Sequence, residues 1–205
     1  MNEHLLEERT RLMGAALGTF CHHLEQDFDS LSVKWCESTN LFREDEGQFD
    51  LLNAVASTFF YLVSQLMFND AMLHLSRLSD PAQQGIYENL SIRRLPELIP
   101  DDDFRLKVES EVSKAVRACE FARVWRDKRL AHNSVDIATG QKLISHPDVV
   151  RDTVSKGIAA IGDVLRLVAK HYGAYSQAST SPKPNPWGSR ALVLRLRGSQ
   201  MTEGH

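Results

Sequence analysis

The stretch Asp101–His132, DDDFRLKVESEVSKAVRACEFARVWRDKRLAH, decides the fold. Val108, Val112, Ala115, Val116, Cys119 and Ala122 recur at three- and four-residue steps, the period of one helical face. Three aspartates open the stretch, and Arg123, Arg126, Lys128 and Arg129 close it. Both ends therefore carry the charge that opposes the helix dipole. The spacing predicts one helix over about 102–131.

The same periodicity extends outward in both directions. Upstream, Leu5, Leu6, Leu12, Ala16 and Phe20 mark a helix from Glu3 to about Asp27, and Leu31, Trp35, Ser38 and Phe42 mark a short one over 29–42. After the acidic turn Arg43–Gly47 a long helix is expected over 49–78, ended by Ser79-Asp80-Pro81. Ser91 is placed to cap a short helix running to Leu98. Downstream, Pro147 can open a last helix reaching about Tyr172. Three of the seven prolines crowd into SPKPNPWG, residues 181–188, which leaves the body free for long helices. No convincing strand precedes that linker. The fold class expected is all-α, a bundle with long antiparallel helices and a flexible C-terminal tail. Residues 1–175 make the helical domain, and 176–205 a Pro/Ser-rich linker and a basic-apolar tail. Within the tail Leu192–Arg197 alternates apolar and basic residues like a short strand, although a lone strand has no partner to pair with.

Composition narrows the class of function. The 205 residues are 42% hydrophobic and 25% charged, enough apolar matter for a substantial core. A net charge of −3 excludes a surface-wide basic field, so nucleic acid could be held only by a local basic patch. Cys21, Cys36 and Cys119 are odd in number and far apart, which fits buried thiols in a reducing cytoplasm and gives no zinc pattern. The start MNEHLLEERTRLMG carries three glutamates before any apolar run and does not read as a secretory signal. Leu51–Asn69, LLNAVASTFFYLVSQLMFN, has no charge and nearly the length of a bilayer span. Its Asn, Ser, Thr and Gln residues, and the lack of flanking Trp or Lys/Arg anchors, favour a mostly buried helix of a bundle, so no membrane partner is expected.

Chemistry concentrates in Arg126-Asp127-Lys128-Arg129-Leu130-Ala131-His132. A fixed cation, a carboxylate and a titratable imidazole lie within two helical turns. On an ideal helix residues six apart are separated by about 9 Å along the axis and about 120° around it, so Arg126 and His132 would not touch. A substrate phosphate could bridge them, more readily if the helix loosens near His132, and a two-fold dimer could bring two copies together. An arginine and a histidine without metal ligands suit RNA cleavage. RNA carries its own 2′-hydroxyl nucleophile, histidine moves protons near neutral pH, and arginine grips phosphate through paired hydrogen bonds. Asp127 can orient either partner. Lys128, Arg129 and Arg77 are the candidate substrate-binding cations. The plainer account of these cations, that they stabilise a helix end, is worth a few tenths to about 1 kcal/mol each.

Other groups have mainly structural explanations. Arg77 with Asp80 could face the same cleft or simply form an ion pair at a helix end. Arg93 and Arg94 could touch phosphate or form a solvated face. His22 and His23 lack the i,i+4 spacing of a helical metal pair, His74 sits where a core residue is expected, and Trp35 and Trp125 read as packing residues. No metal site and no cofactor is expected.

Arg126–Ser134, RDKRLAHNS, resembles the R-x(4–6)-H signature of the HEPN superfamily. Lys34-Trp35 with Leu41-Phe42, Leu51-Leu52-Asn53 with Phe59-Phe60, Ser76–Pro81 and Asn89–Ile92 resemble, in order, blocks of its abortive-infection U-type family. The resemblance implies a helical bundle that dimerises around the motif. It also implies a metal-independent endoribonuclease, often a toxin or anti-phage effector, that leaves 2′,3′-cyclic phosphate and 5′-hydroxyl ends. Arg126 and His132 carry over as catalytic residues, with Asp127 as the polar residue of the motif. The partners implied are an RNA substrate, a second copy in a homodimer and an antitoxin or other regulatory protein. Some relatives carry a modifiable tyrosine shortly after the histidine, where this chain has Asn133-Ser134-Val135. The competing reading is a non-catalytic helical module that binds RNA or a protein.

Overall fold

Gly14 fixes where the first helix ends. Its φ of +82° lies in the left-handed region that glycine enters without penalty. The computed structural model describes residues 2–43, 47–131, 147–176, 178 and 185–202. In it, helix α1 covers Asn2–Met13 and α2 covers Ala15–Leu41. The helix expected over 3–27 is thus divided at Gly14, and the segment expected as a separate helix over 29–42 continues α2. The continuation has a simple cause. Leu17, Cys21, Leu24, Phe28, Leu31 and Trp35 alternate four- and three-residue steps and are all buried, with no glycine or proline from Cys21 to Trp35. Gly18 lets the chain turn back closely, since a Cβ there would meet the Arg9 carbonyl oxygen at 2.6 Å.

Helix α3 runs over Gln48–Ser79, within a residue of expectation at each end, with extended backbone at Ala56 (φ −163°, ψ 71°). A minimal hairpin pairs β1 (Gln83–Gln84) with β2 (Tyr87–Glu88), antiparallel, Gln84 opposite Tyr87. Ser91 caps the next segment as expected, its side chain accepting from the Arg93 amide. That segment is not one helix but two 3-10 turns, Ile92–Arg94 and Pro96–Leu98, because Pro96 has no N–H to continue an α ladder.

The deciding stretch is also divided. Asp101 caps α4 (Asp102–Ala118) by accepting from the Phe104 amide at 2.7 Å. At Cys119 ψ rises to −1°, α5 (Glu120–Trp125) follows, and Arg126–Ala131 winds as a π-helix. Helix α6 (Pro147–His171) begins at the expected proline. The tail read as a strand is helix α7, Ser189–Thr202. With no strand to pair with, a helix is the form that satisfies its backbone internally.

The chain divides into two compact units, residues 1–30 with 72–180 and residues 31–71 with 181–205. In the first, α4 lies along α6, and the core includes Leu24, Phe28, Met72, Leu75, Leu78, Ile92, Leu95, Val108, Ile158 and Ile161. Arg9 and Glu25 form an ion pair there with both side chains only 3% exposed. Ser176 Oγ donates to the same glutamate at 3.1 Å, and Arg9 also reaches the Tyr175 carbonyl at 3.2 Å. His74 is a buried residue of this unit with Nε2 2.9 Å from Asp27 Oδ1, and Trp35, which belongs to the second unit, is buried too.

The second unit is small. Leu41, Leu51, Leu52, Phe60 and Val193 form its core, with Phe42, Val63, Met67 and Leu196 packed against it. Gln48 donates to the carbonyls of Asn40 and Leu41, and the Ser189 amide donates to Glu37. The expectation of a mostly buried helix over 51–69 is corrected here. Val55, Phe59, Tyr61, Leu62 and Leu66 all lie open to solvent, Phe59 at 60% and Leu66 at 68%. The absence of charge meant an apolar surface on all sides, and one chain covers only one of them. Gln48–Ser79 is long and apolar enough to cross a membrane by length and composition.

Candidate functional site

Pro81 ends α3 and leaves Asp80 at its tip, where the chain turns toward the hairpin. Ser91 Oγ donates to the Asp80 carbonyl at 2.5 Å, and Asn89 Nδ2 donates to the Pro81 carbonyl at 2.8 Å. These bonds fix the backbone around Asp80, whose side chain is only 12% exposed. Its carboxylate takes both oxygens to one guanidinium, with Arg126 Nη1 at 2.9 Å from Oδ1 and 2.7 Å from Oδ2. Arg126 Nε donates to Asp127 Oδ1 at 2.9 Å. Arg123, one helical turn earlier, sends Nη2 to the Ser79 carbonyl at 3.0 Å and holds Nε 3.7 Å from Asp80 Oδ1.

Arg126 therefore sits in a cradle of two carboxylates at the first residue of the π-helix. Such helices are rare and concentrate at functional sites. Burial works against its charge, but the hydrogen bonds to Asp127 and Asp80 outweigh burial and raise its pKa above the ordinary arginine value. Of its five N–H donors, Nε and Nη1 are committed. Nη2 makes no hydrogen bond among the described residues and is the donor left for a ligand.

The other predicted residues fall at different distances from this centre. Asp127 is at the cradle, half exposed. Lys128 and Arg129 follow on the π-helix. Arg129 lies over the Trp125 ring, 4.8 Å from its centroid, so Trp125 packs against a cation. Arg77 is not brought to the cradle: its Nη2 lies 3.6 Å from Asp27 Oδ2, beside His74. Asp80, expected beside Arg77, pairs with Arg126 and Arg123 instead. His132 lies outside the described residues. Arg123 was read only as a helix-end cation. Its i,i+3 relation to Arg126 is the signal that puts both guanidiniums on one face. Cys119, buried near this site, has its thiol pushed up to about 12 by burial, so it stays protonated and inert. Among the described residues no group of three or more His, Cys, Asp or Glu is placed to hold a metal ion.

A chain helical but for one minimal hairpin, whose R-D-K-R-L-A-H run opens on a π-helix with its arginine braced by carboxylates, is a HEPN-type protein. The model of the HEPN family AbiU2 matches residues 15–187, and the chain belongs to that abortive-infection family. No curated protein and no solved structure matches it.

Proposed function

We propose that the protein is a metal-independent endoribonuclease acting in the cytoplasm as a toxin or anti-phage effector. The observation that carries this reading is Arg126, immobilised by Asp80 and Asp127 with Nη2 unbonded among the described residues. A guanidinium held in advance loses little entropy when it meets a phosphate, and it offsets charge that grows on the phosphoryl oxygens during attack. In the reaction, His132 takes the proton of the ribose 2′-hydroxyl, the 2′-oxygen bonds to phosphorus, and the bond from phosphorus to the 5′-oxygen breaks. The departing 5′-oxygen takes a proton from solvent water, and His132 returns its own to solvent. The products are a 2′,3′-cyclic phosphate and a 5′-hydroxyl. Lys128 and Arg129 supply phosphate contacts further along the RNA.

The test is cleavage of mixed RNA by the purified chain in EDTA, with analysis of product ends. Arg126→Ala and His132→Ala are expected to stay folded and to lose cleavage. Cleavage undiminished in both variants overturns the site, and a wild-type chain that leaves RNA intact favours a non-catalytic binding module.

A second copy of the chain is the partner that the open face of α3 suits. Beyond the break at Ala56, Phe59, Leu62 and Leu66 step by three and four residues, the seam of a helix that packs on another helix. With Val55, Phe49 and Tyr61, the open side chains of α3 expose on the order of 700 Å² in total, close to one partner's share of a standard interface. No charged residue lies within Leu51–Asn69, so two copies meet along it without repulsion. A regulatory protein such as an antitoxin is part of the same reading.

A further inference from the structure

Most of the arginines described in residues 72–126 have a carboxylate partner: Arg77, Arg94, Arg105, Arg123 and Arg126 each lie within 4 Å of one. Arg93 and Arg117 have none among the described residues. Both line one groove of about 580 Å³, between the second 3-10 turn and α4, whose other walls are Pro96, Glu97, Glu109, Val112, Ser113 and Val116. Two unpaired guanidiniums in one groove call for an explanation that helix capping does not supply.

Arg93 is the more constrained of the two. Its backbone is pinned by Ser91, which accepts from the Arg93 amide at 3.2 Å and donates to the Asp80 carbonyl. Its Nε is buried with no hydrogen-bond partner. Burial first, and then the nearby Arg123 charge, lower its pKa, with Glu120 and Asp80 opposing. Arg93 thus stands beside the Arg126 cradle as a cation whose burial and neighbour disfavour its charge, and a bound anion would relieve both. On α4, Glu109, Ser113 and Arg117 follow at four-residue steps, so they share one face. Val112, Val116 and Pro96 give the groove apolar wall.

We propose that this groove is a nucleotide subsite for the RNA strand, in which Arg93 and Arg117 hold one backbone phosphate a short way from the bond cleaved at Arg126. Ser113 donates to the same phosphate. Glu97 and Glu109 accept from ribose hydroxyl or base amino groups, and their charge keeps a second phosphate out. The inference rests on the nuclease reading for its substrate, and it adds the place where the strand is gripped.

The test uses the full chain carrying His132→Ala to suppress cleavage, with a short fluorescein-labelled single-stranded RNA of mixed sequence, followed by anisotropy across a salt series. Adding Arg93→Gln with Arg117→Gln is expected to weaken binding about tenfold and make the salt slope shallower by about 0.7, the value for one lost phosphate contact on a single strand. Thermal midpoints are expected to hold, since neither guanidinium has an ion pair to lose. Lysine at both positions should restore the slope. Unchanged affinity and slope in the glutamine pair overturn the groove, and if wild type cleaves RNA the nuclease reading survives that result. A wild type that does not cleave, yet binds RNA through Arg93 and Arg117, upholds the groove and overturns the nuclease. A chain that binds no RNA overturns both.

Discussion

Replacing Asp80 by alanine removes the carboxylate on which two arginines converge. Two bonds from Arg126, at 2.7 and 2.9 Å, and the longer approach of Arg123 are lost together. Removing one partner of a fully buried ion pair costs about 3–5 kcal/mol. Here the Arg126 side chain is 25% exposed, and both arginines keep a second carboxylate, Asp127 for Arg126 and Glu120 for Arg123. Water and those carboxylates recover part of the loss, which brings the expected destabilisation to about 2 kcal/mol, the range for hydrogen bonds to charged groups. In a chain of this size that corresponds to a fall of about 4–8 °C in Tm. Asp80→Asn keeps the shape and one acceptor and should lose about half as much.

The assay is a double-mutant cycle read by thermal and denaturant unfolding, with Asp80→Ala, Arg126→Gln and the pair. A coupling of about 1–2 kcal/mol is expected, because the two residues touch. If the single effects add to within about 0.5 kcal/mol, the cradle does not hold Arg126 and the reasoning fails. A catalytic arm follows from the proposed function. Asp80→Asn keeps the Arg126 side chain chemically intact but frees its orientation, and misplacement of a reacting group by an ångström costs about 10²-fold. The fall should therefore appear in kcat while folding is nearly preserved.

Three further outcomes follow from the described contacts. Glu25→Gln leaves Arg9 charged in a site where both side chains are 3% exposed, and a loss of about 3–5 kcal/mol is expected in denaturant unfolding. The carboxyl of Asp29 is raised to about 6 by burial first and by Glu25 second, with Arg9 opposing. The folded state therefore holds this proton more tightly than the unfolded chain, and that contribution to stability is complete below about pH 4 and is lost as pH rises through about 6. Asp29→Asn should accordingly raise Tm at pH 7.5 and leave it unchanged near pH 4; an equal shift at both would contradict the assignment. Phe59→Glu with Leu66→Glu should convert a dimer to a monomer by light scattering. Wild type that is already monomeric and floats with lipid vesicles would give the α3 face to a membrane instead.

How far the sequence could be read depends on what each signal encodes. Periodicity reports which face is apolar, and it located α3 and the start of α6 to within a residue or so. It does not report breaks of one residue. Gly14 interrupts a helix whose stripe continues on both sides, and Cys119 interrupts another through ψ alone, with no glycine or proline to mark it. The tail failed for a different reason. Leu192–Arg197 alternates like a strand, but Val193 and Leu196 are also three apart, and a helix buries both against one cluster without needing a second strand. At the site, the motif pointed to Arg126 and Asp127 because its spacing is local. Asp80 is 46 residues from Arg126, and sequence proximity paired it with Arg77. Tertiary structure gave Arg77 to Asp27 and left Asp80 for the two arginines of the α5 end.

The same distinction explains the long uncharged helix. A run such as Leu51–Asn69 states that its surface is apolar all round, and folding one chain can cover only the side that meets α2 and α7. Leu51, Leu52 and Phe60 take that side, and Val55, Phe59, Leu62 and Leu66 are left open to solvent. Selection for a buried core would leave the second set free to become polar, as the outer faces of most surface helices are. Phe59, Leu62 and Leu66 at regular helical steps are instead what a second surface would maintain. The face and the cradle therefore make separate demands on α3: its middle turns carry the apolar seam, and its end at Ser79 prepares the turn in which Asp80 meets Arg126.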